Sequence, residues 1–243
     1  IERLMPTAAL MISIIVYNDT SFTYNSRFFE LQRFCVWISN STCLISRRFR
    51  FFDKINEKKA LCRLCARSCI IPQGKTGFCK IRKNIKGKLY SLVYGKCNSI
   101  AIDPIEKKPL FHFAPGTKCL SIATVGCNFR CSFCQNWQIS QEYEEIEGED
   151  LSPAQIVDIA LKKHVAGIAY TYTEPTIFYE YAFDTMKLAK KKGLYNVWVS
   201  NGYTTPEAIM KMKGLLDAVN VDWKGPPGFY KKMCPVPDFE PLK

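Results

Sequence analysis

The sequence has no apolar run long enough to cross a membrane as a helix. The best candidate, Leu4 to Tyr17, covers 14 residues and contains Pro6, whereas a spanning helix takes about 20. That stretch also makes a poor signal peptide: it lacks a basic lead-in beyond Arg3 and a small-residue cleavage site. Membrane association is therefore not expected. Cysteine is too sparse for a disulfide scaffold, at 12 in 243 residues, against the roughly 8–10 % of short secreted chains. A phosphate loop is missing too. Gly74-Lys75-Thr76 would need a glycine five residues earlier, and Cys69 stands there. Acidic residues are scarce between Arg47 and Lys96, with 2 Asp/Glu against 15 Lys/Arg in a chain of net charge +12. No RNA-recognition motif with stacking aromatics accompanies this basic segment. It is read as a solvated face, and nucleic acid is not expected as a partner.

What the sequence does hold is enough apolar material for a core, 47 % of 243 residues. That suits one large domain, or one with an appendage. Seven of the 12 cysteines sit in two tight runs, at 62–79 and 127–134. Such clustering favours metal over disulfides and a reducing, cytoplasmic compartment.

The run the chain is organised around is Gly126-Cys127-Asn128-Phe129-Arg130-Cys131-Ser132-Phe133-Cys134, spaced C-x3-C-x2-C. The apolar stretch Cys119 to Val125 before it reads as a buried strand. The three thiols therefore fall in a loop at a strand's C-terminal end, where α/β folds place their sites. Three thiolates can hold three irons of a cubic cluster that ordinarily takes four cysteines. The fourth iron is then open, as an open position marks a catalytic metal. The bland alternative is a zinc loop or a group of free thiols. The second run, Cys62, Cys65, Cys69 and Cys79, is spaced C-x2-C-x3-C-x9-C, with Gly74 and Gly77 allowing the chain to turn back. Four thiolates suit a tetrahedral zinc or a second iron–sulfur cluster.

From residue 119 onward strand and helix alternate, which predicts a parallel sheet with right-handed crossovers. Strands are expected over 119–125, 167–171, 196–200 and 218–223. Helices are expected from Pro153, behind a Ser152–Gln155 capping box, from Thr176 to Lys192 with Gly193 as the stop, and from about Pro206, behind a second capping signature, Thr204-Thr205-Pro206-Glu207. Lys88 to Tyr94 alternates like a strand. Residues 97–118, rich in proline and closing on Pro115-Gly116, read as an ordered, non-repetitive connector. His112, between Phe111 and Phe113, is read as a core or loop residue whose nearness to the cluster strand leaves a site role open. Polar motifs end the last three strands: Tyr172-Thr173-Glu174-Pro175, Ser200-Asn201-Gly202-Tyr203 and Asp222-Trp223-Lys224-Gly225.

C-x3-C-x2-C with Phe133 before its last cysteine resembles the signature of the radical S-adenosylmethionine (SAM) superfamily. The three strand-end motifs resemble, in order, the GGEP, SNG and D-x-K signatures of its pyruvate formate-lyase activating enzyme-like branch. Here the first lacks its glycine pair, so its backbone is expected to approach SAM less closely. Longer matches, among them Cys62-Arg63-Leu64-Cys65, Asp103-Pro104-Ile105-Glu106-Lys107-Lys108-Pro109-Leu110 and Thr124 to Trp137, are similar to the radical SAM enzyme of the AmmeMemoRadiSam system, over about residues 61–242.

The resemblance implies a [4Fe-4S] cluster on Cys127, Cys131 and Cys134. SAM would chelate its open iron and be cleaved reductively to a 5′-deoxyadenosyl radical, which abstracts hydrogen from a substrate. It implies SAM contacts at Phe133, Thr173, Glu174, Pro175, Ser200, Asn201, Asp222 and Lys224. Glu174 or its backbone would take the SAM ammonium, Ser200 and Asn201 ribose or carboxylate oxygens, and Lys224 the carboxylate, with Asp222 orienting it. An electron donor such as ferredoxin or flavodoxin is implied, with Memo-like and AMMECR-like proteins as partners of the same system. The implied fold is a partial (β/α) barrel of about four strand–helix units (114–243), preceded by a cysteine-rich segment and connector (54–113) and a poorly ordered extension (1–53). A radical SAM core has about six such units and the chain starts at Ile1, so a truncated product that holds SAM less well is expected. Competing readings are a glycyl-radical-enzyme activase, an RNA-modifying radical SAM enzyme using the basic segment, and a structural zinc-binding interaction module.

Overall fold

The structure is a computed structural model that describes residues 51–243 throughout and, before them, the backbone of three short strands. These are β1 (Leu10–Ile15), β2 (Cys35–Trp37) and β3 (Cys43–Ile45). The rest of the expected 1–53 extension lies outside the described residues.

The cysteine-rich segment is built from small antiparallel sheets. Strands β4 (Phe52–Lys54), β5 (Lys59–Cys62) and β6 (Ile70–Pro72) form a meander, and β7 (Arg82–Ile85) and β8 (Lys88–Ser91) a hairpin. The hairpin turns at Lys86 and Gly87, both at positive φ (51° and 73°), the twist that tight hairpins favour. Lys88 to Tyr94 was expected to be one strand, but it leaves the ladder after Ser91.

The larger sheet is assembled from β10 (Ser99–Pro104), β11 (Lys118–Ala123), β13 (Gly167–Tyr170), β14 (Tyr195–Ser200), β15 (Ala218–Trp223) and β1. The short β9 (Lys96–Cys97) and β12 (Glu149–Asp150) pair with each other beside it. The order is β1-β15-β14-β13-β11-β10. Strands β11, β13, β14 and β15 are parallel, as the alternation predicts, while β10 and β1 run antiparallel at the two edges. Among the described residues the sheet is open and does not close into a barrel. The stretch read as a connector thus contributes a six-residue strand. Its proline is tolerated because Pro104 sits at the strand's end, opposite Lys118, where a missing N–H costs least.

Both faces of the parallel strands are covered, so β13 is buried at every position, as parallel strands generally are. On one face Leu120, Ile122, Ile168, Tyr170 and Trp198 pack against α2 (Pro153–Lys162) and α3 (Tyr179–Lys191), through residues such as Ile156, Ala182 and Met186. On the other, Cys119, Ala169, Val197 and Ala218 meet Ile105 and Leu110. The segment after β10 therefore roofs the inner face. Each fully buried aliphatic side chain here contributes about 1.5–3 kcal/mol.

Helix α2 begins on the expected capping box, with the Ser152 hydroxyl accepting from Gln155 N and the Gln155 side chain accepting from Ser152 N. Helix α4 (Pro206–Lys211) starts on Thr205 without a side-chain cap. Thr205 Oγ1 instead donates to Arg63 O (2.9 Å) and Leu64 O (3.2 Å), tying the helix start to the cysteine-rich segment. Tertiary hydrogen bonds have taken the cap that the sequence advertises.

Candidate active site

The C-terminal ends of the parallel strands converge on the loop that follows β11. Gly126 leads into it at φ +100°. A Cβ there would stand 3.0 Å from Cys79 O and 3.1 Å from Tyr143 Oη, so only glycine lets the loop lie this close to the cysteine-rich segment. Cys127, Cys131 and Cys134 share one cluster with Phe129, Tyr203, Tyr230 and Cys234. Cys127 lies within electrostatic reach of both Cys131 and Cys134. Phe129 N donates to Cys127 Sγ at 3.3 Å, and Ser140 Oγ, on α1 (Trp137–Ser140), lies 3.4 Å from Cys134 Sγ. Burial pushes the Cys127 thiol well above its ordinary value, and nearby Glu174 adds to this.

Each strand tip meets this loop. After β13, Thr173 Oγ1 donates to Thr124 O at 2.8 Å, and Asn136 Nδ2 donates to Tyr172 O at 2.8 Å. Tyr172 adopts φ +63° without a glycine, a conformation that costs a bulky residue about 1–2 kcal/mol. The motif thus reaches by strain the left-handed turn that its missing glycines would have supplied freely. Pro175 opens a buried turn of 3-10 helix (Pro175–Phe178) behind Glu174.

Glu174 is buried and accepts hydrogen bonds on both oxygens. Its Oε1 accepts from Thr176 N (3.0 Å) and Ser200 Oγ (2.9 Å), and from the Thr176 hydroxyl; its Oε2 accepts from Asn201 N (2.8 Å). Burial raises its pKa, with those donors opposing. Asn201 Nδ2 passes the contact on, donating to Asn128 Oδ1 at 2.8 Å. A single chain of hydrogen bonds thus runs from the tip of β13, across that of β14, into the cysteine loop.

At the end of β15, Lys224 forms an ion pair with Asp222 and stands 5.9 Å from the centre of the Phe133 ring. Its N–H donates to Tyr230 Oη at 3.0 Å. Burial disfavours the Lys224 charge, but Asp222 more than compensates and holds its pKa above the ordinary value. Lys224 also acts electrostatically on Cys131. Phe133 remains 42 % exposed and packs against Phe229 on α5 (Pro227–Met233), a rim residue rather than a core one.

All eight expected contact residues and the three cysteines therefore lie on one side of the sheet, around one loop. Glu174 is engaged by donors on both oxygens, so it positions Ser200 and Asn201. His112 is exposed and takes no part. Sequence reasoning assigned no role to Asn128, although it adjoins Cys127. It also passed over Cys234, which faces Cys131 closely enough for a thiol–thiol hydrogen bond; a thiol ten residues beyond Lys224 was the available signal. A third omission is Asp103. It accepts from Lys107 Nζ, Lys108 Nζ and Ser121 Oγ, each at 2.7 Å, and from Tyr172 Oη, and so anchors the β13 tip from below. Lysines four and five residues after it were the clue.

Among the described residues, no set of three or more His, Cys, Asp or Glu converges on the position of a single metal ion. A single tetrahedral ion would draw its ligands to one point. A cubic cluster makes a different demand, because each cysteine binds its own iron and the thiols stand apart around a larger body. Cys127, Cys131 and Cys134, two of them with a neighbouring hydrogen-bond donor and with Cys234 beside Cys131, are the donor type that three corners of such a cluster take.

A family model described as the radical SAM superfamily matches residues 121–243. Two uncharacterized proteins of Methanocaldococcus jannaschii are similar to the chain. One is 49 % identical over 189 residues, covering 77 % of this chain and 56 % of that protein. The other is 32 % identical over 105 residues, covering 41 % and 31 %. The chain thus spans about half the length of the first of these relatives. Among the described residues no helix is long and apolar enough to cross a membrane.

Proposed function

The chain belongs to the radical SAM superfamily, and from that premise we propose that it takes part in reductive cleavage of S-adenosylmethionine, with Cys127, Cys131 and Cys134 holding a [4Fe-4S] cluster. When bound, the cluster and SAM supply a 5′-deoxyadenosyl radical that removes hydrogen from a substrate. The observation that carries the proposal is the hydrogen-bonded path Glu174–Asn201–Asn128, which fixes two strand tips against the cysteine loop, while Lys224 faces the same loop from a third.

The roles follow from the chemistry of these side chains. Lys224 is held charged by Asp222 and presents a compact positive charge suited to the SAM carboxylate. Thr176, Ser200 and Asn201 already donate to the Glu174 carboxylate, and in this reading the backbone beside it at Thr173 takes the SAM ammonium. Glu174 then acts by fixing Ser200 and Asn201 at the ribose side. Phe133 and Phe229 form an apolar lip that limits water at the cluster edge.

The test is anaerobic reconstitution of the full-length protein with iron and sulfide, then addition of SAM and a low-potential reductant. Reductant-dependent 5′-deoxyadenosine is expected. A protein that develops the iron–sulfur absorption band and forms no 5′-deoxyadenosine would overturn the proposal.

A further inference from the structure

The four cysteines of the first run surround one cavity. Cys62, Cys65, Cys69 and Cys79 all line it, together with Leu64, Ile71, Phe78 and Ile177. They do not converge on a single ion among the described residues, but they line one cavity, and four cysteines are the number of ligands a cubic cluster takes.

Two further features point to an anionic, sulfur-rich guest. Arg67 interacts electrostatically with Cys65 and Cys69, and Arg82 with Cys62 and Cys79; both residues line the cavity. Arg82 is already paired with the buried Glu180, so Arg67 supplies the positive charge that offsets part of the negative charge of a four-thiolate cluster. The second feature is Asn128. It is 1 % exposed, lines the cavity and lies within side-chain hydrogen-bonding reach of Cys65, so its amide can donate to a thiolate ligand of a cluster held there. The other end of that amide accepts from Asn201, and its neighbour in the chain is Cys127.

We infer that this cavity holds a second [4Fe-4S] cluster and that Asn128 connects it to the first, making the cysteine-rich segment the electron entry of the enzyme. The relay role rests on the function proposed above; the binding site does not. The step moves one electron. The second cluster, once reduced, is oxidised by one electron as the cluster on Cys127, Cys131 and Cys134 is reduced by one. No proton moves, and a low-potential one-electron carrier protein of the flavodoxin or ferredoxin kind restores the second cluster.

The decisive variant is C127A/C131A/C134A in the full chain, reconstituted anaerobically with ferrous iron and sulfide. Retention of about four irons and four sulfides per chain, with a signal in electron paramagnetic resonance after reduction, is expected. The unaltered protein should hold about twice that. A triple variant that binds no iron, or binds zinc alone, would overturn the inference. C65S/C69S alters thiols that are only partly buried, which limits damage to folding. It should lower the ratio of carrier-driven to dithionite-driven SAM cleavage at least about tenfold; an unchanged ratio would overturn the relay. The two proposals fail separately. Iron retained in the triple variant without SAM cleavage by the unaltered protein defeats the catalytic reading and the relay while leaving the second cluster site standing, and the reverse pattern defeats the second site alone.

Discussion

Around Cys127, Cys131 and Cys134 the chain places polar strand tips, with Thr173, Ser200, Asn201 and Lys224 within reach of a loop rimmed by the exposed Phe133. Around Cys62, Cys65, Cys69 and Cys79 it places Leu64, Ile71, Phe78 and Ile177, with arginines behind the thiols. Both runs are short and cysteine-rich, and their surroundings differ. Three thiols stand beside hydrogen-bonding strand ends that could orient a ligand. Four thiols stand in a chamber lined by apolar side chains, two arginines and Asn128, surroundings that suit the electron-exchanging role inferred above.

That contrast breaks most sharply at Cys131. C131A is expected to reduce 5′-deoxyadenosine formation to background, measured by chromatography under anaerobic conditions. If C65S lowered it as completely with dithionite as reductant, the two runs would not differ in kind. Next in size is D103N, which leaves Lys108 buried and only 2 % exposed without its carboxylate. A loss of about 3–5 kcal/mol in urea denaturation at pH 7 is expected. Burial works against the Asp103 charge, yet Lys107, Lys108, Tyr172 and Ser121 hold its pKa well below the usual aspartate range. The folded pKa is depressed, so this stabilisation is complete above the unfolded value of about 4 and is lost as the pH falls below it. D103N should flatten the acid limb of the stability profile, and a limb as steep as in the unaltered protein would remove Asp103 from the account.

A smaller effect sharpens the comparison on the ligand side. K224M should weaken SAM binding by about 1.5–3 kcal/mol, the worth of a hydrogen bond to a charged group, as measured by calorimetry. No iron should be lost, since Lys224 is not a thiol ligand; loss of iron in step with SAM affinity would make it a structural residue. The smallest effect is at the seam between the two regions. T205V removes the hydroxyl that donates to Arg63 O and Leu64 O, at a cost of about 1 kcal/mol. Faster hydrogen exchange confined to the cysteine-rich segment is expected, whereas uniform acceleration would mean that the two regions open as one.

Much of this was legible because the signals were local. The parallel strands announce themselves as short apolar runs bounded by polar turns, and β15 matches its expected span, residues 218–223. The Ser152–Gln155 box starts its helix as read. The site residues could be listed because each polar motif directly follows a strand, which puts them on one side of the sheet. What stayed hidden depends on distant partners. Strand β10 is an edge strand carrying a proline and an aspartate, both unfavourable in strands, and only its pairing with β11 stabilises it. Thr205 looked like a cap and is drawn away by backbone carbonyls some 140 positions earlier in the sequence. The hydrogen bonds that join Glu174 to Ser200 and Asn201 come from a different strand tip, 26 and 27 positions later in the sequence. Among the described residues, the antiparallel edge strands of the open sheet likewise follow from pairings between distant parts of the chain.

The central claim is that one iron of the cluster on Cys127, Cys131 and Cys134 has no protein ligand and faces the strand tips. Electron paramagnetic resonance of the reduced protein, recorded with and without SAM, tests it most directly. The account predicts that SAM shifts the g-values of the signal that disappears in C127A/C131A/C134A and leaves any other cluster signal unmoved. A signal that depends on those three cysteines and does not respond to SAM would contradict it.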